Sequence, residues 1–565
     1  MTAQTVSHDV IAAAPLARRD RHVAALLPAI VIAGLAVLPI AVVIAIALTG
    51  TGEDWPHLVR NVLPGATATT LALLAMVAAG TATIGVTCAW LVVAYDFPMR
   101  RLLAWALVLP LAVPPYLAAY AFGEFFLFTG PVQTALRALF GFQSARDYWF
   151  PDIRSTTGTA IVLSSVLFPY VYLTVRVVFL MQGRNIADVA RTLGAAPVRV
   201  FFRILLPVAR PAIIAGCALV LMETLNDIGA AEYLGVNTLT IAVFTTWLNR
   251  GSLEGAAQIS TVMLFLVLAL LYAERMARRN QRFHGARATH MKARPPRVRL
   301  DGARRWLATM AVLLPVLSGF GIPAYVFCGY AARRLDQLAE PALQQAFVTS
   351  VFTAGCTALV TVAIALVLVN ATRLSRTAAV GAVARLSASG YALPGTVLAL
   401  GLLFALTRLD NAVDAFARTY LGLSTGLLLS GTAAAVIIAC TVRFLALAEG
   451  AIRSGLEKLP PHRDEAARSL GHTPTASARK VLFPLLKPAL ATAAVLVFVD
   501  TMKELSATIL LRPFGFSTLA THVYENASRG VVEDGAVAAL LIILTALVPV
   551  VLLSRALMRD ADATM

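Results

Sequence analysis

The chain has 565 residues, 59% of them hydrophobic and 14% charged, with a mean hydropathy of +0.77. That excludes an ordinary water-soluble domain, which could not hide so much apolar surface; runs of about 20 or more apolar residues recur along the whole length, each enough to cross a bilayer as a helix. The formal charge of +17 does not indicate nucleic acid, because Lys and Arg lie between apolar runs on alternate loops, as expected for positive loops retained on the cytoplasmic side.

In chain order, a cytoplasmic tail (1–23) carries Arg18, Arg19 and Arg21. The apolar run that follows starts like a signal peptide. It is too long for one and lacks a small-x-small cleavage site, so it is predicted as an uncleaved span. Spans are expected near 24–48, 66–94, 102–122, 156–181, 210–234 and 256–275, making a first transmembrane half over 24–275. A basic linker (276–304) contains Pro295 and Pro296 and reads as a solvated tether close to anionic lipid. A second half over 305–555 has spans near 305–329, 346–370, 378–407, 426–450, 488–511 and 532–554, followed by a cytoplasmic tail (556–565). With the N-terminus inside, the inner segments hold 35 of the 47 Lys and Arg residues, which sets the orientation. Six spans per half is an even number, so the halves are parallel repeats, related by an axis along the membrane normal. The fold class is therefore an all-α polytopic membrane protein of about 12 helices. Five cysteines, Cys88, Cys217, Cys328, Cys356 and Cys440, stand singly in apolar segments, which indicates neither a disulfide framework nor a zinc site.

One polar stretch occurs twice. Residues 188–212 read DVARTLGAAPVRVFFRILLPVARPA, and 465–489 read EAARSLGHTPTASARKVLFPLLKPA; the two agree at 9 of 25 positions. Shared residues include Ala190/Ala467, Gly194/Gly471, Pro207/Pro484 and Pro211/Pro488. An acid opens each copy (Asp188, Glu465), a short helix leads to the glycine, and a second short helix is expected to end at Pro207 or Pro484. The expected result is a helix-turn-helix at the inner membrane face carrying Arg191, Arg199 and Arg203, or Arg468, Arg479 and Lys480. An interfacial amphipathic segment accounts for one copy. Retention of the same glycine–proline spacing in two copies points to a docking device.

At these residues the chain resembles the permease subunits of binding-protein-dependent ABC importers, whose loop runs EAA, three residues, Gly, nine residues, Ile-x-Leu-Pro. The first copy matches at Ala190, Gly194, Ile204, Leu206 and Pro207 but opens DVA; the second matches at Glu465, Ala466, Ala467, Gly471 and Pro484 but reads Val-Leu-Phe-Pro. The resemblance implies the type I permease fold, two copies of a cytoplasmic ATPase gripping the two loops, and a periplasmic binding protein that delivers substrate. It implies a bacterial inner (plasma) membrane location with both termini cytoplasmic, in contact with lipid and not with nucleic acid. The stretches LMETLNDIGAAEYLGVNTLTIAVFTTW (221–247) and FVDTMKELSATILLRPFGFSTLATHVYE (498–525) are similar to the fused, two-half ferric-iron permeases. Thiamine, sulfate, polyamine and phosphonate permeases are the alternatives within the class, and an ion-coupled secondary carrier the alternative outside it. No GxxxxGK[ST] loop is present, so the chain is expected to carry no cofactor, with ATP and Mg on the ATPase subunits. It is not expected to be an enzyme.

Those two stretches also carry acids inside the membrane. Glu223 and Asp227 are spaced i, i+4, which puts both on one helix face, and Asp500 and Glu504 repeat the pair. Carboxylates in a spanning helix face a protein interior or an aqueous path. Four of them facing one another across the halves would suit transient passage of a ferric ion, with no metal stably held. The other reading is structural, with Lys503 neutralising Asp500 or Glu504. Tyr116, Tyr120, Tyr170, Tyr172 and Tyr233 could add phenol oxygens, although belt or packing roles suit most of them. His462 and His472 flank the second loop and read as solvated.

Overall fold

A computed structural model describes residues 14–49, 52–180, 197–279, 297–374, 377–459, 469 and 473–562. Eleven helices in it are long and apolar enough to span a membrane. A twelfth span arises if the bent pair Arg100–Ala112 and Pro115–Phe140, which turns through 99°, crosses as one. The bend falls at Val113-Pro114-Pro115, where consecutive prolines withdraw two N–H donors and force extended backbone before the next helix. The segment expected as a single span over 378–407 is broken in a similar way. A helix (Ala378–Ser387) and a tight turn (Ala388–Ala392) precede Pro394, and the long helix Gly395–Leu421 starts after it.

Helix starts follow local chemistry. Ser155 accepts from the Gly158 amide, Thr238 from Ile241 and Thr518 from Thr521, each capping a new helix with a side-chain oxygen. Other prolines do not break their helices. A one-turn π-helix stands at Leu58–Val62, Phe201–Leu205, Leu317–Gly321 and Ala478–Leu482. Each is followed two residues later by a proline: Pro64, Pro207, Pro323 and Pro484. The extra residue of a π-turn moves the i−4 carbonyl away from the proline ring, so the helix continues. The expectation that a short helix ends at Pro207 or Pro484 is therefore corrected. In both copies a helix runs from the loop, through the π-turn, into the span: Leu206–Asn226 in the first and Phe483–Met502 in the second.

The sequence repeat and the compact packing divide the chain differently. One compact unit consists of the chain up to Val42, Val351–Thr501 and Leu511–Phe514; the other consists of Val43–Ser350, Met502–Leu510 and Gly515–Met565. Within the first unit, Gly401 lies so close to the N-terminal helix (Ala14–Thr49) that an added Cβ would sit 2.2 Å from the Pro39 carbonyl oxygen. Within the second, a Cβ on Gly319 would sit 2.0 Å from the Ser165 carbonyl oxygen. Only glycine allows backbones this close. The second unit also holds a two-residue parallel pairing of Tyr95–Asp96 with Val298–Arg299.

Candidate functional site: the repeated loop ends and the helix breaks beyond them

The coupling-loop residues Asp188, Ala190, Gly194, Glu465, Ala466, Ala467 and Gly471 lie outside the described residues, as do His462 and His472. The C-terminal part of each loop is described, and the two copies agree in a buried leucine flanked by exposed basic residues. In the first, Leu205 is fully buried while Arg199, Arg203 and Arg210 are exposed; Ile204 and Pro207 are half-buried. In the second, Leu482 is buried while Arg479, Lys480, Pro484 and Lys487 are exposed. An exposed basic surface thus adjoins a buried leucine at the start of each spanning helix.

At the far end of each helix stands an acid pair. Glu223 and Asp500 are half-buried on the last turns. The helices end at Asn226 and Met502, so Asp227 and Glu504 are not on the same helix face as their partners. Asp227 has extended backbone (ψ 114°). Its carboxylate accepts the Ala230 amide at 2.6 Å, and Glu504, in the equivalent place, accepts the Ala507 amide at 2.8 Å. Each second acid therefore caps the short turn after the break. A side chain that satisfies the backbone there competes with continuation of the helix, which explains the departure from the i, i+4 expectation. Ser506 donates to the Asn226 carbonyl at 2.6 Å, which ties the two breaks together. Among the described residues no three His, Cys, Asp or Glu side chains form a metal-holding group.

The phenols divide by role. Tyr172 is fully buried and donates to the Ala104 carbonyl at 3.0 Å, a packing role. Tyr116, Tyr120 and Tyr233 stack edge to face, with ring centroids 5.8 and 4.8 Å apart. Tyr233 donates to Glu124 at 3.3 Å, Tyr330 donates to the same carboxylate at 2.8 Å, and Tyr524 donates to Glu232 at 2.6 Å. Glu124, Glu232, Tyr330 and Tyr524 were not singled out from the sequence. Glu124 could have been, since it continues the i, i+4 spacing of Tyr116 and Tyr120. A cavity of about 270 Å³ opens beside this group, lined in part by Gly123, Gln133, Tyr148, Asp152 and Arg154. On the loop lining it, the Ser144 and Gln143 amides and the Ser144 hydroxyl hold the Asp147 carboxyl below its ordinary range.

In both copies of the repeat a basic stretch thus leads into a spanning helix that ends at a capped break. Residues 81–281 and 291–561 each match the family of binding-protein-dependent transport system inner membrane components. The chain belongs to that family. Its members are membrane permeases and not enzymes, and membership implies an inner-membrane, multi-pass protein that works with a solute-binding protein and an ATPase. The chain is 26% identical over 493 residues to the Fe(3+)-transport system permease protein FbpB 2 of Haemophilus influenzae, covering 86% of this chain and 88% of that one. It is 28% identical over 262 residues to a putative 2-aminoethylphosphonate permease, PhnU, of Salmonella paratyphi A, covering 45% of this chain and 89% of PhnU. It is 31% identical over 204 residues to the molybdenum permease ModB of Escherichia coli, covering 34% and 84%. The last two relatives correspond to one half of this chain, whereas the ferric permease matches both halves.

Proposed function

We propose that this permease carries ferric iron across the inner membrane, delivered by a periplasmic ferric-binding protein and driven by two ATPase subunits that bind ATP and Mg and engage the two basic loops. The observation that carries the reading is the similarity to a Fe(3+) permease along both halves, where the phosphonate and molybdenum relatives match one. The site chemistry supports it. The groups gathered near the helix breaks are carboxylates and phenols, the oxygen donors that suit a hard, highly charged cation and repel an oxyanion. Glu223, Asp227, Asp500 and Glu504 belong to the proposed path, with Asp227 and Glu504 also shaping the backbone. Asp188, Ala190, Gly194, Ile204, Pro207, Glu465, Ala466, Ala467, Gly471 and Pro484 make up the proposed ATPase-coupling loops. The N- and C-termini are on the cytoplasmic side in this reading, as the positive charge distribution requires.

The test is uptake of radioactive ferric iron by cells that lack their own ferric importer and express this chain with a periplasmic ferric-binding protein and an ATPase subunit that co-purifies with it. Iron uptake that stops on ATP depletion is the expected result. Uptake of phosphonate, sulfate, molybdate, thiamine or polyamine without iron would overturn the substrate. Uptake by the chain alone, insensitive to ATP and abolished by an ionophore, would overturn the ABC mechanism in favour of an ion-coupled carrier.

A further inference from the structure

Tyr116, Tyr120 and Glu124 follow one another at four-residue steps on the helix Pro115–Phe126. They form one stripe rising about 12 Å along the axis. The tyrosines are buried, 3% and 1% exposed. Tyr233 lies against Tyr120 and donates to Glu124, and Tyr330 closes the end of the stripe by donating to the other oxygen of the same carboxylate. At the opposite end the Tyr116 hydroxyl is within electrostatic reach of Asp227 and Glu504, the two acids at the helix breaks. The break itself is pressed onto the stripe: a Cβ on Gly229 would come within 2.7 Å of Tyr116 Cβ and 3.3 Å of the Tyr120 hydroxyl.

The Tyr116 hydroxyl is the informative atom. It is buried and has no hydrogen-bond partner among the described residues. Phenylalanine would fill the same space without burying an unsatisfied polar group, which is costly. A hydroxyl kept at this point, between a phenol stack and two carboxylates, is placed to meet something that arrives. From Asp227 to Glu124 the stripe presents phenol and carboxylate oxygens, with no thiol, imidazole or amine among them. Arg154 lies over the Tyr233 ring, 5.3 Å from its centroid, at the cavity side of the stack. That face of Tyr233 thus already receives a cation.

We propose that Tyr116, Tyr120, Tyr233 and Tyr330, with Glu124 and Asp227, form a ladder of oxygen ligands along which a hard trivalent cation passes between the cavity beside Gly123 and the helix breaks. The proposal rests on the ferric reading above and names the residues that would carry it. As each metal–oxygen bond forms, the phenol O–H bond breaks and its proton leaves to water; the phenol regains a proton when the metal moves on. No group is oxidised or reduced. Bond exchange with several neighbouring oxygens lets the cation advance without leaving coordination.

The test uses the full chain with its ATPase in lipid nanodiscs, titrated with ferric nitrilotriacetate, and reads the visible phenolate-to-iron charge-transfer absorption. The wild type should develop this band. Tyr116→Phe, which removes a hydroxyl that has no partner to lose, should leave the melting temperature unchanged and weaken iron binding at least about tenfold, as loss of a metal-supporting group does. The fourfold variant Tyr116→Phe, Tyr120→Phe, Tyr233→Phe, Tyr330→Phe should show no band. A band of full strength in the fourfold variant would overturn the ladder. Iron uptake by cells at the wild-type rate with Tyr116→Phe, together with no band in the wild-type protein, would overturn the ladder and leave the ferric reading standing. No band together with uptake of another solute in place of iron would overturn both.

Discussion

Asp227 and Glu504 occupy equivalent places in the two halves, and each accepts a backbone amide three residues ahead, Ala230 in one case and Ala507 in the other. Capping and charge are separable by substitution. Asp227→Ala and Glu504→Ala should each lower stability by about 1 kcal/mol through loss of the cap. Asp227→Asn and Glu504→Gln keep an acceptor and should change stability by less than about 0.5 kcal/mol, yet reduce iron uptake if the charge serves the cation. Thermal unfolding of the purified chain, measured beside uptake, checks both; equal destabilisation by Ala and by the amides would rule out the capping role. The acids were legible as a repeated pair in an apolar setting. Their split between a helix and the backbone after it was not, because no glycine or proline separates Glu223 from Asp227 to signal a break. The partners Glu124–Tyr330 and Glu232–Tyr524 were not legible either. They are separated by 206 and 292 residues, and a sequence pattern reports only neighbours along one element.

Among the helices, hydropathy located nearly every span, since apolar length is a direct requirement of the bilayer. It gave the wrong outcome at Pro207 and Pro484, where proline reads as a stop and the chain instead adds a residue to the turn before it. The π-turns make the described end of each loop continuous with its spanning helix. Deleting Ile204 from the first turn, or Val481 from the second, should restore ordinary α-helical spacing and rotate everything on the loop side by about 100° relative to the span. The expected result is normal membrane insertion with loss of ATPase co-purification and of uptake. Full ATPase association by the double deletion would show that the angular relation between loop and helix does not matter. An Ala inserted two residues later, to restore the count, should recover part of the association.

For the whole molecule, the charge distribution predicts the sidedness that hydropathy leaves open. In a background without native cysteines, a maleimide that cannot cross the membrane should label Cys introduced at Glu53 or Leu423, both exposed, from outside the cell. A Cys at Ala288 should react only after permeabilisation; the opposite pattern would invert the topology. Asp410 makes a poor reporter because it is buried, 2% exposed, and accepts from the Leu429 and Ser430 amides. What the sequence could not reveal is which spans pack together, because an apolar helix face does not name its neighbour. That packing has a consequence for how the protein is made. Residues up to Val42 belong to a compact unit that otherwise begins at Val351. During synthesis at about 5–20 residues per second, this part of the first helix must therefore wait on the order of 15 to 60 s before the rest of its unit begins to exist. The other unit cannot close until Gly515–Met565 has been added. The first unit is complete only when Leu511–Phe514 has been added, so for most of synthesis its N-terminal helix lies in lipid apart from the rest of its unit, exposed to membrane proteases and dependent on whatever insertase holds it.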